Sequence, residues 1–380
     1  MNTRIPSFLS RPVALAAAAL ATALLAAGPA QAAHGVAAPT GQADAAPSSR
    51  PLPVVASFSI LADLVKQVGG DRVAVESLVK AGGDTHVFQP GPAQVRQLSS
   101  ASLVVVNGLG FEGWMPRLIG SSGYKGLVVE AARGLQAMKA TDDHHHHGDD
   151  ADEDDHDHEG PHGHDHDHDG PHGHDHDEDG PHGHSHADHD HDEASHGHHH
   201  HHHGGLDPHA WQDALNVRHY VANIAEGLCQ AAPADCGGFR ERARAYDQKL
   251  LELDQEIHQA VDATPTDRRR VMVSHAAFGY YGRAYHIIFM APVGVSTEEE
   301  PSAAVVANLI RQARQQNVQA FFFENNSDPR LLKRMASELK NVTIGELYAD
   351  SLSPANGPAA DYLSMMRYNT RAITQALSKK

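Results

Sequence analysis

The clearest indication of the fold is an apolar run followed by an Asn-Gly pair, Leu103-Val104-Val105-Val106-Asn107-Gly108. A short, unbroken apolar run that ends at an Asn-Gly pair predicts a strand that is buried on both faces. Strands of this kind belong to parallel sheets, which are covered by helices on both sides. The run therefore predicts an α/β protein.

Further apolar runs on both sides of this stretch predict two similar halves. Strands are predicted at 51–57, 73–79 and 127–129 in the first half, and at 271–273, 287–290, 319–323 and 342–344 in the second. Helical patterns fall between them, and Gly69-Gly70 is typical of a helix end. Strands that alternate with helices indicate layered α/β lobes. We expect two Rossmann-like lobes, each a mainly parallel sheet with flanking helices.

One long amphipathic helix is predicted between the two halves. Its apolar residues are spaced alternately four and three apart, and Pro265 stops it; they are Phe239, Ala243, Tyr246, Leu250, Leu253, Ile257 and Ala260. About 24 residues would make a rod of roughly 36 Å. We interpret it as the link between the lobes; a coiled-coil dimer is the alternative.

The N-terminus has the features of a secretory signal peptide. Arg4 and Arg11 precede an apolar run over 12–27, and Ala30-Gln31-Ala32 supplies a cleavage pattern. We expect cleavage near Ala32, followed by export. The sequence has no Cys near that point, so a lipid anchor is not expected. The predicted domains are a signal peptide at 1–32, a flexible leader at 33–50, a first lobe at 51–238, a linking helix at 239–264 and a second lobe at 265–380.

Cys229 and Cys236 are the two cysteines of the chain. They are close in sequence, with Pro233 between them to turn the chain, and an exported protein meets an oxidising environment that favours a disulfide. The alternatives are two buried free thiols or a zinc-binding pair.

The tract at 142–204 is dominated by histidine and acidic residues. It holds 25 of the 32 His and 21 of the 48 Asp and Glu, and has no Lys or Arg. The formal charge of −18 therefore belongs to the tract, and the nearly neutral remainder gives no indication of nucleic-acid binding. With almost no apolar residues the tract is predicted to be disordered without a ligand. Its imidazoles and carboxylates predict weak, multivalent binding of metal ions such as zinc.

Four residues outside the tract are the candidates for one built metal site. His86 lies in a glycine-rich loop after a predicted strand, and His209 lies in Asp207-Pro208-His209-Ala210-Trp211. His275 and Asp350 each follow a predicted strand of the second half. Ligands of open α/β sheets bind at the carboxyl ends of the strands, so that these positions suit a site. A single histidine on a loop is usually only solvated. The turn residues around His86 favour a fixed geometry and make it a better candidate for a ligand.

The sequence resembles the metal-binding receptors of bacterial ABC importers for zinc and manganese, the cluster A-I substrate-binding proteins. The resemblance covers nearly all of 51–380 apart from the tract. It rests on motifs in the same order along the chain, which include Gly83-Asp-Thr-His-Val-Phe-Gln-Pro, Val106-Asn-Gly-Leu-Gly-Phe-Glu-Gly-Trp, Asp207-Pro-His-Ala-Trp, Ser274-His-Ala-Ala-Phe-Gly-Tyr, Ser296-Thr-Glu-Glu-Glu-Pro-Ser and Asp350-Ser-Leu-Ser.

The resemblance implies a cleft between two lobes in which His86, His209, His275 and Asp350 bind the metal. Three imidazoles and a carboxylate form a set that suits tetrahedral zinc. Manganese-type members carry Glu at the position of His275, and some zinc-type members complete the set with water or another acid instead of Asp350. The softer nitrogen ligands favour zinc over manganese.

The resemblance also implies a function and partners. We expect a periplasmic protein that is not an enzyme, is a monomer, binds no nucleic acid, and delivers Zn²⁺ to the membrane permease of an ABC importer. A periplasmic zinc chaperone is a further candidate partner. The alternatives are a manganese or broader divalent-metal receptor, a zinc enzyme, and a metal-buffering or storage protein that works through the tract.

Overall fold

The computed structural model describes residues 50–140 and 205–378. The predicted signal peptide, nearly all of the leader and the predicted disordered tract at 142–204 lie outside these residues. The described residues belong to one compact unit, Ser49–Lys380. Among them, no helix combines the length and the apolar character that crossing a bilayer requires.

The first half folds around a sheet of four parallel strands in the order β2-β1-β3-β4. The strands are β1 (Leu52–Phe58), β2 (Val73–Val79), β3 (Leu103–Val106) and β4 (Leu127–Glu130). The helices of this half are α1 (Ser59–Gly69), α2 (Pro92–Ser99), α3 (Met115–Ser122) and α4 (Ala214–Ala231). Every residue of β3 is buried. The prediction of a buried parallel strand from the run at 103–106 is confirmed.

A long helix, α5 (Cys236–Asp262), follows α4. It has 27 residues, which corresponds to a rod of about 40 Å. Its buried stripe follows the predicted spacing up to Ile257, but the last buried residue is Val261 and Ala260 is only half-buried. The stripe packs against α1, α4 and α9 (Tyr362–Ser378) of the same chain. This intramolecular packing supports the linking helix over the coiled-coil dimer.

The second half repeats the strand order of the first, as β6-β5-β7-β8, and all its strands are parallel. The strands are β5 (Arg270–Val273), β6 (Ile288–Met290), β7 (Ala320–Glu324) and β8 (Thr343–Leu347). Besides α9, its helices are α6 (Gly279–Tyr285), α7 (Ala303–Gln315) and α8 (Arg330–Ser337). The predicted fold class, two α/β lobes joined by a long helix, is confirmed.

The core is divided by the alternation of side chains along β5. Val271 and Val273 belong to the large apolar cluster that continues through α5 into the first lobe. Met272 points to the other face and belongs to a smaller cluster with Phe321 and Met335. The second sheet is therefore covered on both faces, as expected for parallel strands.

A disulfide bond joins Cys229, near the end of α4, to Cys236, at the start of α5. A short 3₁₀ turn, Pro233–Asp235, leads the chain from one helix into the other. The predicted pairing of the two cysteines is confirmed, and both are accounted for by this bond.

Candidate metal centre

The carboxyl ends of the two sheets face a common site. His275 follows β5, Asp350 follows β8, and His86 lies on the loop that leaves β2. His209 lies in the segment that leads into α4. The structure brings all four side chains together, and their candidate ligand atoms lie within 4.8 Å of one another.

Three imidazole Nε2 atoms surround the Asp350 carboxylate. Nε2 of His209 lies 3.4 Å from Nε2 of both His86 and His275. The Asp350 oxygens lie 3.4 Å from His86 Nε2, 3.5 Å from His209 Nε2 and 3.2 Å from His275 Nε2. A tetrahedral zinc site with metal–ligand bonds of about 2.0–2.1 Å has ligand–ligand distances of about 3.3 Å. The observed spacing therefore fits four ligands around one small cation.

Both oxygens of Asp350 are buried and have no hydrogen-bond partner among the described residues. A buried carboxylate without such partners is costly unless a positive charge lies against it. The imidazoles offer nitrogen atoms at contact distance, and a metal ion between them would supply the missing charge. The donor set therefore fits a divalent cation.

Two of the histidines are oriented by carboxylates on the far side of their rings. His209 Nδ1 donates to Asp207 Oδ1 at 2.8 Å, and His275 Nδ1 donates to Glu324 Oε2 at 2.6 Å. A carboxylate oxygen accepts, so each Nδ1 carries a hydrogen and the lone pair of the neutral ring lies on Nε2. Such partners hold the ring in place and raise its basicity as a metal ligand.

The close approach of Asp207 depends on a glycine of the second lobe. A side-chain carbon added to Gly279 would lie 2.7 Å from Asp207 Oδ2. Tyr280, the next residue, donates its hydroxyl hydrogen to the Asp207 carbonyl at 3.0 Å. The start of α6 therefore fixes the segment that carries His209.

Without metal, a proton takes the place of the cation. Burial lowers the pKa of His275, but the carboxylates of Glu324 and Asp350 outweigh burial and raise that pKa well above its usual range. Burial would likewise raise the pKa of Asp350, yet the facing His275 and His209 hold it well below its usual range. Burial lowers the pKa of His86. Metal binding must therefore displace the proton from His275.

Aromatic rings form one wall of the site. The ring of Phe111 lies edge-on to His86, with centroids 4.8 Å apart, and packs on Trp211 at the same distance. Phe58 lies behind both, 5.1 Å from Phe111 and 5.0 Å from Trp211. This apolar wall excludes water and strengthens electrostatic interactions within the site.

A buried carboxylate, Glu112, supports the loop behind His209. Its Oε1 accepts from Ser57 Oγ at 2.6 Å and from the Asn107 backbone at 2.7 Å. The Asn107 side chain in turn donates to the Pro208 carbonyl at 2.9 Å. Burial raises the pKa of Glu112 to about 7. The end of β3 is thus connected through Asn107 to the residue before His209.

Residues 54–376 match the family described as ZnuA, zinc-uptake complex component A, periplasmic. The chain belongs to this family. Its members are metal-binding receptors of ABC transporters and not enzymes, so the chain is the substrate-binding component of a metal importer.

Two named relatives of this ZnuA-family chain are receptors for manganese. It is 26% identical over 336 residues to the manganese ABC transporter substrate-binding lipoprotein PsaA of Streptococcus pneumoniae, covering 87% of this chain and 91% of the relative. It is 25% identical over 328 residues to the manganese-binding lipoprotein MntA of Halalkalibacterium halodurans, covering 86% and 89%. Both relatives are matched over most of their length.

A solved structure with the same fold is that of the periplasmic zinc-binding protein TroA from Treponema pallidum. The TM-score is 0.67 at 24% sequence identity, over 87% of this chain and 100% of that one. A Mn-bound periplasmic metal-binding protein from Candidatus Liberibacter asiaticus has a TM-score of 0.64 at 21% identity, over 86% and 99%. These likenesses establish the two-lobed architecture.

The outer residues of the site were not predicted from the sequence. Glu324 is the last residue of β7, and the strand-end rule that singled out His275 applies to it equally. Asp207 lies inside the motif that contains His209, yet its contact with the ring needs the structure. Glu112 lies inside the motif that begins at Val106, yet its contact with the Asn107 backbone also needs the structure.

We predict that Glu112 makes the unfolding free energy depend on pH. A carboxyl whose folded pKa of about 7 exceeds its usual value near 4.5 binds more protons when folded, so stability falls as pH rises through this window. Glu112→Gln should remove that loss. Urea unfolding of the metal-free protein at several pH values measures this. The unfolding free energy of the variant, relative to that of the original protein, should increase from about pH 4.5 to 7.

The matched control is Glu241→Gln, at an exposed position on α5. It should follow the original protein at every pH. A constant stability difference between Glu112→Gln and the original protein across the window would contradict the assignment of a raised pKa to Glu112.

Proposed function

We propose that the protein captures Zn²⁺ between its lobes and delivers it to the permease of an ABC importer. The observation that carries the proposal is the set of Nε2 atoms of His86, His209 and His275 around the Asp350 carboxylate, at 3.2–3.5 Å. Zn²⁺ is the cargo of this site. His86, His209, His275 and Asp350 are its proposed ligands.

The chemistry of the ligands supports zinc over manganese. Three imidazole nitrogen atoms that lie 3.2–3.5 Å from the oxygens of one carboxylate suit a four-coordinate zinc ion. Manganese prefers oxygen-rich sites of higher coordination number. Manganese remains the second candidate because the relatives PsaA and MntA are named for it.

The tract at 142–204 is proposed to collect zinc weakly and supply the interlobe site. The described residues at its two ends lie side by side: Ala140 donates its backbone hydrogen to the Gly205 carbonyl at 2.8 Å, and Asp207 donates to the Met138 carbonyl at 2.9 Å. Both ends therefore emerge next to Asp207, the partner of His209. A protein that only buffers metal would have no use for this built site, so we regard storage as secondary.

The proposed location is the periplasm, after removal of the signal peptide at 1–32. The proposed domains are the lobes at 51–238 and 265–380 with the linking helix at 239–264, in a monomer. The permease of the zinc importer is the proposed membrane partner, and a periplasmic zinc chaperone is a candidate donor of the metal.

We predict that protein lacking 142–204 retains one tightly bound zinc, whereas the full protein binds several, the additional ions weakly. The reason is that four side chains held by packing and hydrogen bonds form one preorganised site, and solvated imidazoles do not. Metal analysis after dialysis against a mild chelator, together with calorimetric titration, measures both classes. Loss of all tight binding on deletion would place the site in the tract and refute the interlobe proposal.

We predict that His275→Glu weakens zinc binding at least about tenfold and shifts preference towards manganese, because a hard oxygen replaces an imidazole. Glu324 contacts the ring of His275 in the original protein. In His275→Glu, the Glu324 carboxylate would face a second carboxylate and be repelled by it. The paired variant His275→Glu, Glu324→Gln removes that repulsion. Competition titrations with Zn²⁺ and Mn²⁺ compare the three proteins.

If both variants kept the zinc-to-manganese preference of the original protein, His275 would be excluded as a ligand. Glu324→Gln alone is the matched control, since it keeps the imidazole and changes only the group behind it. It should bind zinc more weakly than the original protein without a shift towards manganese.

A further inference from the structure

The segment that carries His209 is firmly bound to the second lobe. Trp211 Nε1 and Gln212 Nε2 both donate to the Ala349 carbonyl, at 2.9 and 2.8 Å. The Tyr362 hydroxyl donates to the Trp211 carbonyl at 2.7 Å. Because Ala349 precedes Asp350, these buried bonds tie His209 to Asp350. His209, His275 and Asp350 therefore form one mechanical unit.

The loop that carries His86 is held differently. Gly82 donates its backbone hydrogen to Ser351 Oγ at 2.6 Å, and Thr297 Oγ1 donates to Asp84 Oδ2 at 2.8 Å. The other oxygen of Asp84 accepts the backbone hydrogen of His86 at 2.9 Å. The Asp84 carboxylate thus connects Thr297 of the second lobe to the backbone of His86.

The His86 ring is also less constrained than the other two. Carboxylates hold Nδ1 of His209 and of His275. Within residues 50–140 and 205–378, no such partner is found for Nδ1 of His86. The next residue, Val87, is 49% exposed. Of the four proposed ligands, His86 is the one on an exposed loop.

We propose that Thr297, acting through Asp84, is a positioning residue that holds His86 against the metal and limits the rate of metal release. The proposal rests on the zinc-receptor function above and adds an order of events. The His86 loop separates from the second lobe first, when the Thr297–Asp84 and Gly82–Ser351 hydrogen bonds break. His209, His275 and Asp350 remain together and retain the ion until it is transferred.

Thr297→Val tests this role because valine keeps the shape of threonine and removes the donor. The full protein is loaded with Zn²⁺, freed of weakly bound ions with a mild chelator, and mixed with an excess of a strong chromophoric chelator in a stopped-flow instrument. Loss of one hydrogen bond to a carboxylate should accelerate zinc release at least about tenfold. The association rate and the melting temperature of the metal-free protein should be unchanged.

Two controls accompany this variant. Thr297→Ser keeps the hydroxyl and should release zinc at the original rate. Thr343→Val makes the same change in the same lobe, at the end of β8 remote from Asp350, and should also release at the original rate.

Zinc release from Thr297→Val at the original rate would overturn the positioning role. So would equal acceleration by Thr343→Val, or a drop in metal-free melting temperature that accounts for the change. If the original protein itself retains no zinc after the mild chelator, the zinc-receptor function fails and the positioning role fails with it. Tight zinc with unaltered release overturns the positioning role alone.

Discussion

The buried carboxylate of Asp350 is the group on which the structure of the site depends. It is fully buried and faces the Nε2 atoms of three histidines from different parts of the chain. Such a charge is tolerated inside a protein only when positive charge lies beside it. In the metal-free protein, protonated His275 supplies that charge, because the carboxylates of Glu324 and Asp350 outweigh the effect of burial and raise its pKa. A divalent cation satisfies the same requirement with all three imidazoles neutral.

The fold meets this requirement by turning the carboxyl ends of two sheets towards each other. Both sheets place their first strand between the second and the third, β2-β1-β3-β4 and β6-β5-β7-β8, so that in each sheet the strand order reverses beside the first strand. Ligands of open α/β sheets bind at such points. In the second lobe, His275 and Glu324 meet there; in the first lobe, Glu112 and Asn107 occupy the equivalent place and support the segment of His209.

The sequence predicted the elements whose local apolar pattern matches the way they are buried in the folded protein. The run at 103–106 predicted a buried parallel strand, and the spacing in α5 predicted its buried stripe as far as Ile257, beyond which the helix turns Val261 inward in place of Ala260. The short helices α2 and α3 were not predicted individually; in the structure they pack mainly against each other. The four candidate ligands could be named from strand ends and family resemblance. Their outer carboxylates could not, because Asp207 and Glu324 gain their role only from tertiary contact with the rings.

Three imidazoles and one carboxylate are proposed to bind a single zinc ion between the lobes. X-ray absorption at the zinc edge, on protein lacking 142–204 and loaded with one equivalent of zinc, tests it most directly. We expect about four nitrogen and oxygen neighbours at about 2.0–2.1 Å, with outer-shell scattering from three imidazole rings. His86→Ala should remove the scattering of one ring. A spectrum with a sulfur neighbour, with six oxygen neighbours, or with the same imidazole scattering after His86→Ala would contradict the claim.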